Sequence, residues 1–147
     1  MIETLENRFQ GRDYLVELGA PEFTSICPLT DAPDFGELTI RYVPDGKLYE
    51  LKSLRDYLTS FRERKIFQEE VVNEVLEQLV ADGAPRFVEV EGEFAARGGM
   101  TTRVVASSGE LPQSWISGSP VGAPSFVEPP RAWASRSPRG LPPKGRT

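Results

Sequence analysis

Hydrophobic and polar positions alternate along 36–44, GELTIRYVP, which places Leu38, Ile40 and Tyr42 on one side, as on a half-buried strand. The segment FTSICP before it reads as extended too. The period then lengthens. Leu54, Tyr57, Leu58 and Phe61 fall at i, i+3, i+4 and i+7, so SLRDYLTSFRER predicts an amphipathic helix, with Ser53 as N-cap and Asp56 three positions on. A second helix is expected over roughly 69–82, where Val72, Val75, Leu76 and Leu79 repeat that spacing and Gly83-Ala84-Pro85 stops it. RFVEVEGEFA returns to alternation, with Val88, Val90 and Phe94 on one face and Glu89, Glu91 and Glu93 on the other. After Gly98-Gly99, MTTRVV supplies a last strand. The order β-β-α-α-β-β predicts an α+β domain, a small antiparallel sheet carrying two helices on one face. Such a sheet leaves open edges and half-covered apolar surface that association between copies would satisfy, so a homo-oligomer is expected.

Composition changes this picture near Ala106. The 147 residues, 39% hydrophobic, support one modest core. Residues 106–147 hold eight Pro, eight Ser and five Gly, half of that segment, with no sustained period. Too little is buried there to offset the entropy of ordering, so a domain over 1–105 followed by a disordered tail over 106–147 is expected. Trp115 and Trp133 in that tail are read as solvated aromatics rather than docking anchors. Residues 1–105 carry twelve basic against twenty acidic residues, a net charge of −8, which repels phosphate backbones and argues against direct nucleic-acid binding. No apolar run approaches the roughly 18 residues needed to span a bilayer, so no membrane insertion is expected. A single cysteine makes no intrachain disulfide, and the acidic start MIETLENRF lacks the regions of a signal peptide. A reducing cytoplasm is the expected compartment.

Candidate chemistry is narrow. The chain has no histidine, which removes Ser-His and Cys-His pairs and the commonest zinc ligand, so no metal is expected. Glu89, Glu91 and Glu93 at strand spacing read as a solvated face rather than a cation site. No GxGxxG or GxxxxGKS/T follows a strand, and Gly98-Gly99 alone is a weak signal. Cys27 and the carboxylates remain. Taken by itself, Cys27 between Ile26 and Pro28 reads as a small buried hydrophobe. Asp31 and Asp34, in PLTDAPDFG, read equally as turn residues bonding their own backbone.

Two blocks alter those odds. FTSICPLTDAPDFG and the downstream YELKSLRDYLTSFRERKIFQEE resemble the signature blocks of the short, unimodular QueF-type nitrile reductases. The similarity runs in the right order and spacing from about Glu22 to Val104, includes the Arg97-Gly98-Gly99 turn, and stops at the tail. The resemblance implies a tunnelling fold, in which subunits of this type close a barrel together as pentameric rings, alone or stacked in pairs as decamers. It also implies a reaction: reduction of the nitrile of 7-cyano-7-deazaguanine to a primary amine in queuosine biosynthesis, with two NADPH per turnover and no metal.

By the same resemblance Cys27 is the nucleophile. Adding a thiol across a nitrile gives a thioimide whose carbon accepts hydride. Asp34 matches the family's proton donor, and a thiolate beside a carboxylate favours one shared proton. Glu69 matches the glutamate that anchors the 7-deazapurine, where a carboxylate accepts two N–H groups in parallel; on spacing alone it is a helix N-terminal acid favoured by the dipole. Further substrate contacts are implied at Tyr49, Glu50 and Leu51, partly through backbone. Gln68 stands where the family commonly has histidine, and glutamine positions without titrating. Lys52, Ser53 and Arg55 resemble the cofactor signature, in which cations near a helix start hold the NADPH phosphates; on spacing alone they make a charged, capped helix face. Arg62, Arg64 and Lys65 are further cations. Two other functions stay open beside the reductase: a pterin- or GTP-acting enzyme of the same fold, which would need zinc ligands the chain lacks, and a noncatalytic purine-binding oligomer.

Overall fold

A computed structural model describes residues 1–117. The order expected from periodicity is present, with short additions before, within and after it. Strand β1 (Thr4–Glu6) is followed by β2 (Val16–Ile26), β3 (Pro33–Val43), β4 (Lys47–Tyr49), α1 (Leu51–Thr59), α2 (Gln68–Gly83), β5 (Phe87–Arg97), β6 (Met100–Gly109) and α3 (Gln113–Ser117). The main sheet is antiparallel in the order β2-β3-β5-β6, while β1 and β4 form a separate two-stranded ribbon. Residues Met1–Gly109 form one compact unit. Strand β6 continues to Gly109, pairing Ser107 with Glu89 and Ser108 with Val88, so ladder pairing runs past the boundary expected after Val105. Beyond it, α3 carries Trp115; Trp133 and the rest of the expected tail lie outside the described residues.

The core lies between the helices and one face of the sheet. Register sets Ile40 opposite Val90 and Leu38 opposite Gly92, so β3 and β5 present Leu38, Ile40, Tyr42, Val88, Val90 and Phe94 to the same side, all nearly inaccessible. Val72, Val75 and Leu79 of α2 and Leu54 and Leu58 of α1 cover them. Each such side chain stabilises the fold by roughly 1.5–3 kcal/mol through apolar burial. Close approach matters at Gly92, where a Cβ would stand 2.9 Å from Val72 Cγ2.

Two local expectations are corrected. Ser53 does not cap α1. The helix begins at Leu51 because the Glu50 carboxylate accepts from the Ser53 and Lys52 amides at 2.7 and 2.9 Å, and it ends at Thr59, five residues short of Arg64. Helix α2 stops at Gly83-Ala84-Pro85 as expected, closed by Ala84 in the left-handed region (φ 45°). Gly83 serves packing, since a Cβ there would meet the Tyr49 ring at 2.5 Å. The acidic row on β5 is not a solvated face. Glu89 and Glu91 are buried around Arg41, whose Nη1 stands 2.8 and 2.9 Å from them, while Arg103 reaches Glu91 at 2.7 Å. Burial works against the Glu91 charge, but hydrogen bonds from Arg103 and Arg41 outweigh it and hold its pKa below the usual range.

Candidate active site

Cys27 follows the last residue of β2 and opens the turn into β3. Its amide donates to Ala32 O and its carbonyl accepts from Asp31 N, both at 2.9 Å, a tight closure that sets Asp31 in the left-handed region (φ 61°). The strand end is pinned from the other side as well. Ile26 N donates to Arg64 O at 2.9 Å and Ile66 N donates to Ile26 O at 3.0 Å, which ties the cysteine turn to the α1–α2 connection. That tether brings the start of α2, and with it Gln68 and Glu69, to the same end of the domain.

A third segment arrives from β5 and β6. Their two-residue turn needs positive φ at both positions, met by Gly98 (63°) and Gly99 (84°), and it carries Arg97 back over the Cys27 turn. Arg97 Nη1 lies 2.6 Å from Asp34 Oδ1, and Nη2 donates to Thr30 Oγ1 at 2.9 Å. Asp34 is buried, and Ser25, its register partner, carries a hydroxyl with no hydrogen-bond partner among the described residues. Cys27 is partly exposed, and its thiol pKa is lowered to about 7, first by the Thr30 hydroxyl, then by the N–H groups of Thr30 and Leu29, with Arg97 assisting against desolvation. At neutral pH about half of such a thiol is thiolate. Arg97 in turn is held more firmly charged by Asp34 and Cys27.

Of the two acids in the first turn of α2, Glu70 is committed to the helix, accepting from Phe67 N at 3.1 Å. The Glu69 carboxylate is exposed and makes no hydrogen bond or ion pair among the described residues, which leaves it available to a ligand. Gln68 begins the helix beside it.

The structure does not bring the other expected site residues to this end. Tyr49, Glu50, Leu51, Lys52 and Ser53 sit where α1 begins: Tyr49 packs on Tyr42 near the end of β3, whereas Pro33 at the start of that strand pairs with Ile26 beside Cys27, a separation of about 20 Å or more. Tyr49 is buried, its hydroxyl donating to Leu79 O, and burial raises its pKa above the ordinary phenol value. Glu50 is the α1 cap, with a pKa lowered by the Ser53 and Lys52 amides. Ser53 Oγ accepts from Glu3 N at 2.8 Å. A groove of about 580 Å³ runs between β2 and α1. Lys52, Arg55 and Arg62 line it along the helix, with Leu54, Leu58 and Phe23 as its apolar wall, and Thr24 at the end nearest Cys27. Among the described residues no cluster of His, Cys, Asp or Glu is arranged to hold a metal ion, and no helix is long and apolar enough to cross a membrane.

A family profile described as QueF-like protein matches residues 33–113, from the first residue of β3 to the first residue of α3. This chain belongs to the QueF-like family. Among its relatives, an NADPH-dependent 7-cyano-7-deazaguanine reductase of Chlorobium chlorochromatii is 49% identical over 104 residues, 71% of this chain and 90% of that protein. One of Nitrosomonas eutropha, carrying the same name, is 44% identical over 127 residues, 86% of this chain and 90% of the relative. A QueF-like archaeosine synthase, solved in its apo form, superposes with a TM-score of 0.62 at 31% identity, covering 67% of this chain and 96% of that structure. The QueF-like profile begins after Cys27; the Nitrosomonas eutropha match, over 127 of the 147 residues, is long enough to include it.

The resemblance groups Cys27, Asp34, Gln68 and Glu69 with Tyr49, Glu50 and Leu51 around one substrate; the first four lie at one end of the domain and the last three at the other. Thr30 and a role for Arg97 were missed. The available signal was the Arg97-Gly98-Gly99 turn, whose location opposite the Cys27 loop depends on β3 and β5 being neighbours.

Proposed function

We propose that this QueF-like chain reduces the nitrile of 7-cyano-7-deazaguanine to 7-aminomethyl-7-deazaguanine with NADPH, in the pathway to queuosine. The observation that carries the reading is a cysteine with a pKa of about 7 on the same end of the domain as an unengaged glutamate. In this reading Cys27 sulfur adds to the nitrile carbon and a proton reaches the nitrogen, giving a thioimide. Asp34, beside the thiol turn and fixed by Arg97, is the carboxyl assigned to proton movement, although its observed bond is to Arg97 and not to Cys27. Expulsion of the thiolate after the first reduction frees an imine, and the second reduction gives the amine. Glu69 accepts the amino and ring N–H groups of the base, with Gln68 as a neutral hydrogen-bonding neighbour.

NADPH supplies the hydride in each of the two reductions. The groove fits such a ligand: its volume is in the range of small-molecule sites, three cations line its length, and it leads towards the Cys27 end. We assign Lys52 and Arg55 to the phosphates, with Ser53 ordering the helix start and Arg62 nearer the reacting end. The acidic charge of residues 1–105 fits a free base rather than a nucleic acid as substrate.

The assembly belongs to the same proposal. Strands β2 and β6 are the sheet edges, and copies pairing along them would form a ring, a pentamer or two stacked pentamers. Tyr49, Glu50 and Leu51 stand too far from Cys27 to share a substrate within one subunit, so they reach it only from another copy. The work is placed in the cytoplasm, where a lone reactive thiol stays reduced.

The test is NADPH consumption with 7-cyano-7-deazaguanine on the full chain. Two equivalents per substrate are expected, and without NADPH a covalent adduct at Cys27 visible by mass spectrometry, absent from Cys27→Ala. No adduct on the intact protein, or no NADPH oxidation, would sink the reading.

A further inference from the structure

The groove between β2 and α1 holds charges of both signs that do not meet. Lys52, Arg55 and Arg62 line it from the helix side, and Glu22 lines it from β2. Lys52 is paired with Asp56 at 3.0 Å. Glu22 is exposed and makes no hydrogen bond or ion pair among the described residues, and the same holds for the guanidinium groups of Arg55 and Arg62. A carboxylate and two cations that share a groove without bonding leave room for a ligand between them. The strand is also broken at this point. Ala20 pairs with Leu38 and Phe23 with Gly36, so Pro21 and Glu22 together stand opposite the single residue Glu37 in a β-bulge. Pro21 has no N–H to give to a ladder, so any strand added along the β2 edge is interrupted here and this stretch of the groove stays open. Cys27 follows Glu22 by five residues, about 16 Å along the chain.

We propose that Glu22 holds the ribose on the nicotinamide side of NADPH, accepting both hydroxyls of its vicinal diol, while Arg55 across the groove takes the phosphates. The inference deepens the reductase reading and rests on its assignment of the groove to NADPH. The chemistry of the two sugars decides between them. A carboxylate accepts two O–H donors in parallel, and such a contact is charge-assisted. The adenosine ribose carries the 2′-phosphate, which removes the diol and sets a dianion where a carboxylate repels it. The nicotinamide ribose keeps both hydroxyls. Glu22 therefore fixes which way round the dinucleotide lies, with its nicotinamide half against β2, the strand that leads into Cys27.

Binding of NADPH to the full chain, read from the fluorescence of the dihydronicotinamide with no nitrile present, separates this role from catalysis. Adenosine 2′,5′-bisphosphate, which has phosphates but no second ribose, is the comparison ligand, measured by its displacement of NADPH. Glu22→Gln should raise the Kd of NADPH about tenfold and leave that of the bisphosphate unchanged or lower, because loss of a carboxylate relieves repulsion of phosphates. Glu22 is exposed and glutamine keeps its size, so E22Q leaves the core intact. An NADPH Kd that rises less than about threefold or falls in E22Q, or a bisphosphate weakened as much as NADPH, overturns the proposal. Arg55→Met should weaken both ligands; if it weakens neither, the groove is not the phosphate site and the proposal falls with it. The two readings fail separately: the expected E22Q pattern with no nitrile adduct at Cys27 keeps Glu22 and removes the reductase, whereas an adduct and NADPH oxidation with an unchanged E22Q Kd does the reverse.

Discussion

The two ends of the sheet hold similar groups and use them differently. Where α1 begins, the Glu50 carboxylate faces two backbone amides, Ser53 accepts from Glu3 N, and the Tyr49 hydroxyl meets a helix carbonyl. Each polar atom there completes a backbone hydrogen bond, and the product is a capped helix on a packed core. Where β2 ends, Asp34 and Thr30 are bonded by a side chain, Arg97, brought in from another hairpin. Their partners organise a thiol and not a helix. The carboxylate bonded to backbone amides starts a helix, while the one bonded to Arg97 fixes a side chain beside the thiol turn.

The sharpest probe of this contrast is pH. A thiol of pKa about 7 is mostly protonated below that value, and the thiolate is the attacking form. Lowering the pH from 7 to 5 takes the thiolate from about a half to about a hundredth, so adduct formation with the nitrile should slow about fiftyfold. Raising it from 7 to 8 should gain less than about twofold. Stopped-flow or quenched mass spectrometry of the adduct checks both limbs. A rate that keeps climbing tenfold per unit to pH 9 would mean that the turn does not lower the thiol, and the contrast between the ends would vanish.

At the other end the expected failure is one of packing. Gly83→Ala places a methyl group 2.5 Å from the Tyr49 ring, and that ring is fixed by its bond to Leu79 O and by the Tyr42 ring. Overpacking of this kind costs about 1–3 kcal/mol. Urea unfolding should report the loss, while the pH midpoint for iodoacetamide alkylation of Cys27 stays where it was. A moved midpoint would show that the two ends are coupled through α2.

What could be read beforehand follows the same physical division. Helix α2 and strand β5 carry periods long enough to declare themselves, and Val72, Val75, Leu79, Val88 and Val90 are buried where their spacing put them. Strands β1 and β4 have three residues each, too few for a period, and they exist because they pair with one another. Alternation also assigned Glu89 and Glu91 to the face away from the core, but alternation says nothing of what stands opposite. Arg41 and Arg103 come from β3 and β6, and only sheet order makes them neighbours of β5. Cys27, Asp34 and Glu69 were legible through motif likeness, Thr30 only through the hydroxyl's bonding in three dimensions.

Glu50 gives the smallest expected effect and the most discriminating one, because its two assignments disagree. Motif likeness gives it to the substrate, whereas its bonds give it to the start of α1. If the cap is its whole role, Glu50→Ala should lower the melting temperature by a few degrees, as loss of an N-cap does, and leave the KM for 7-cyano-7-deazaguanine unchanged. The sign of its pH dependence follows from a pKa lowered by the Ser53 and Lys52 amides. The cap's contribution is complete above the unfolded carboxylate pKa and fades as pH falls through the lower folded value, so wild type and variant should converge in acid. A raised KM with an unchanged melt would return Glu50 to the substrate. Because this end lies about 20 Å or more from Cys27 in one subunit, that outcome would also mean that one copy of the chain completes the site of another.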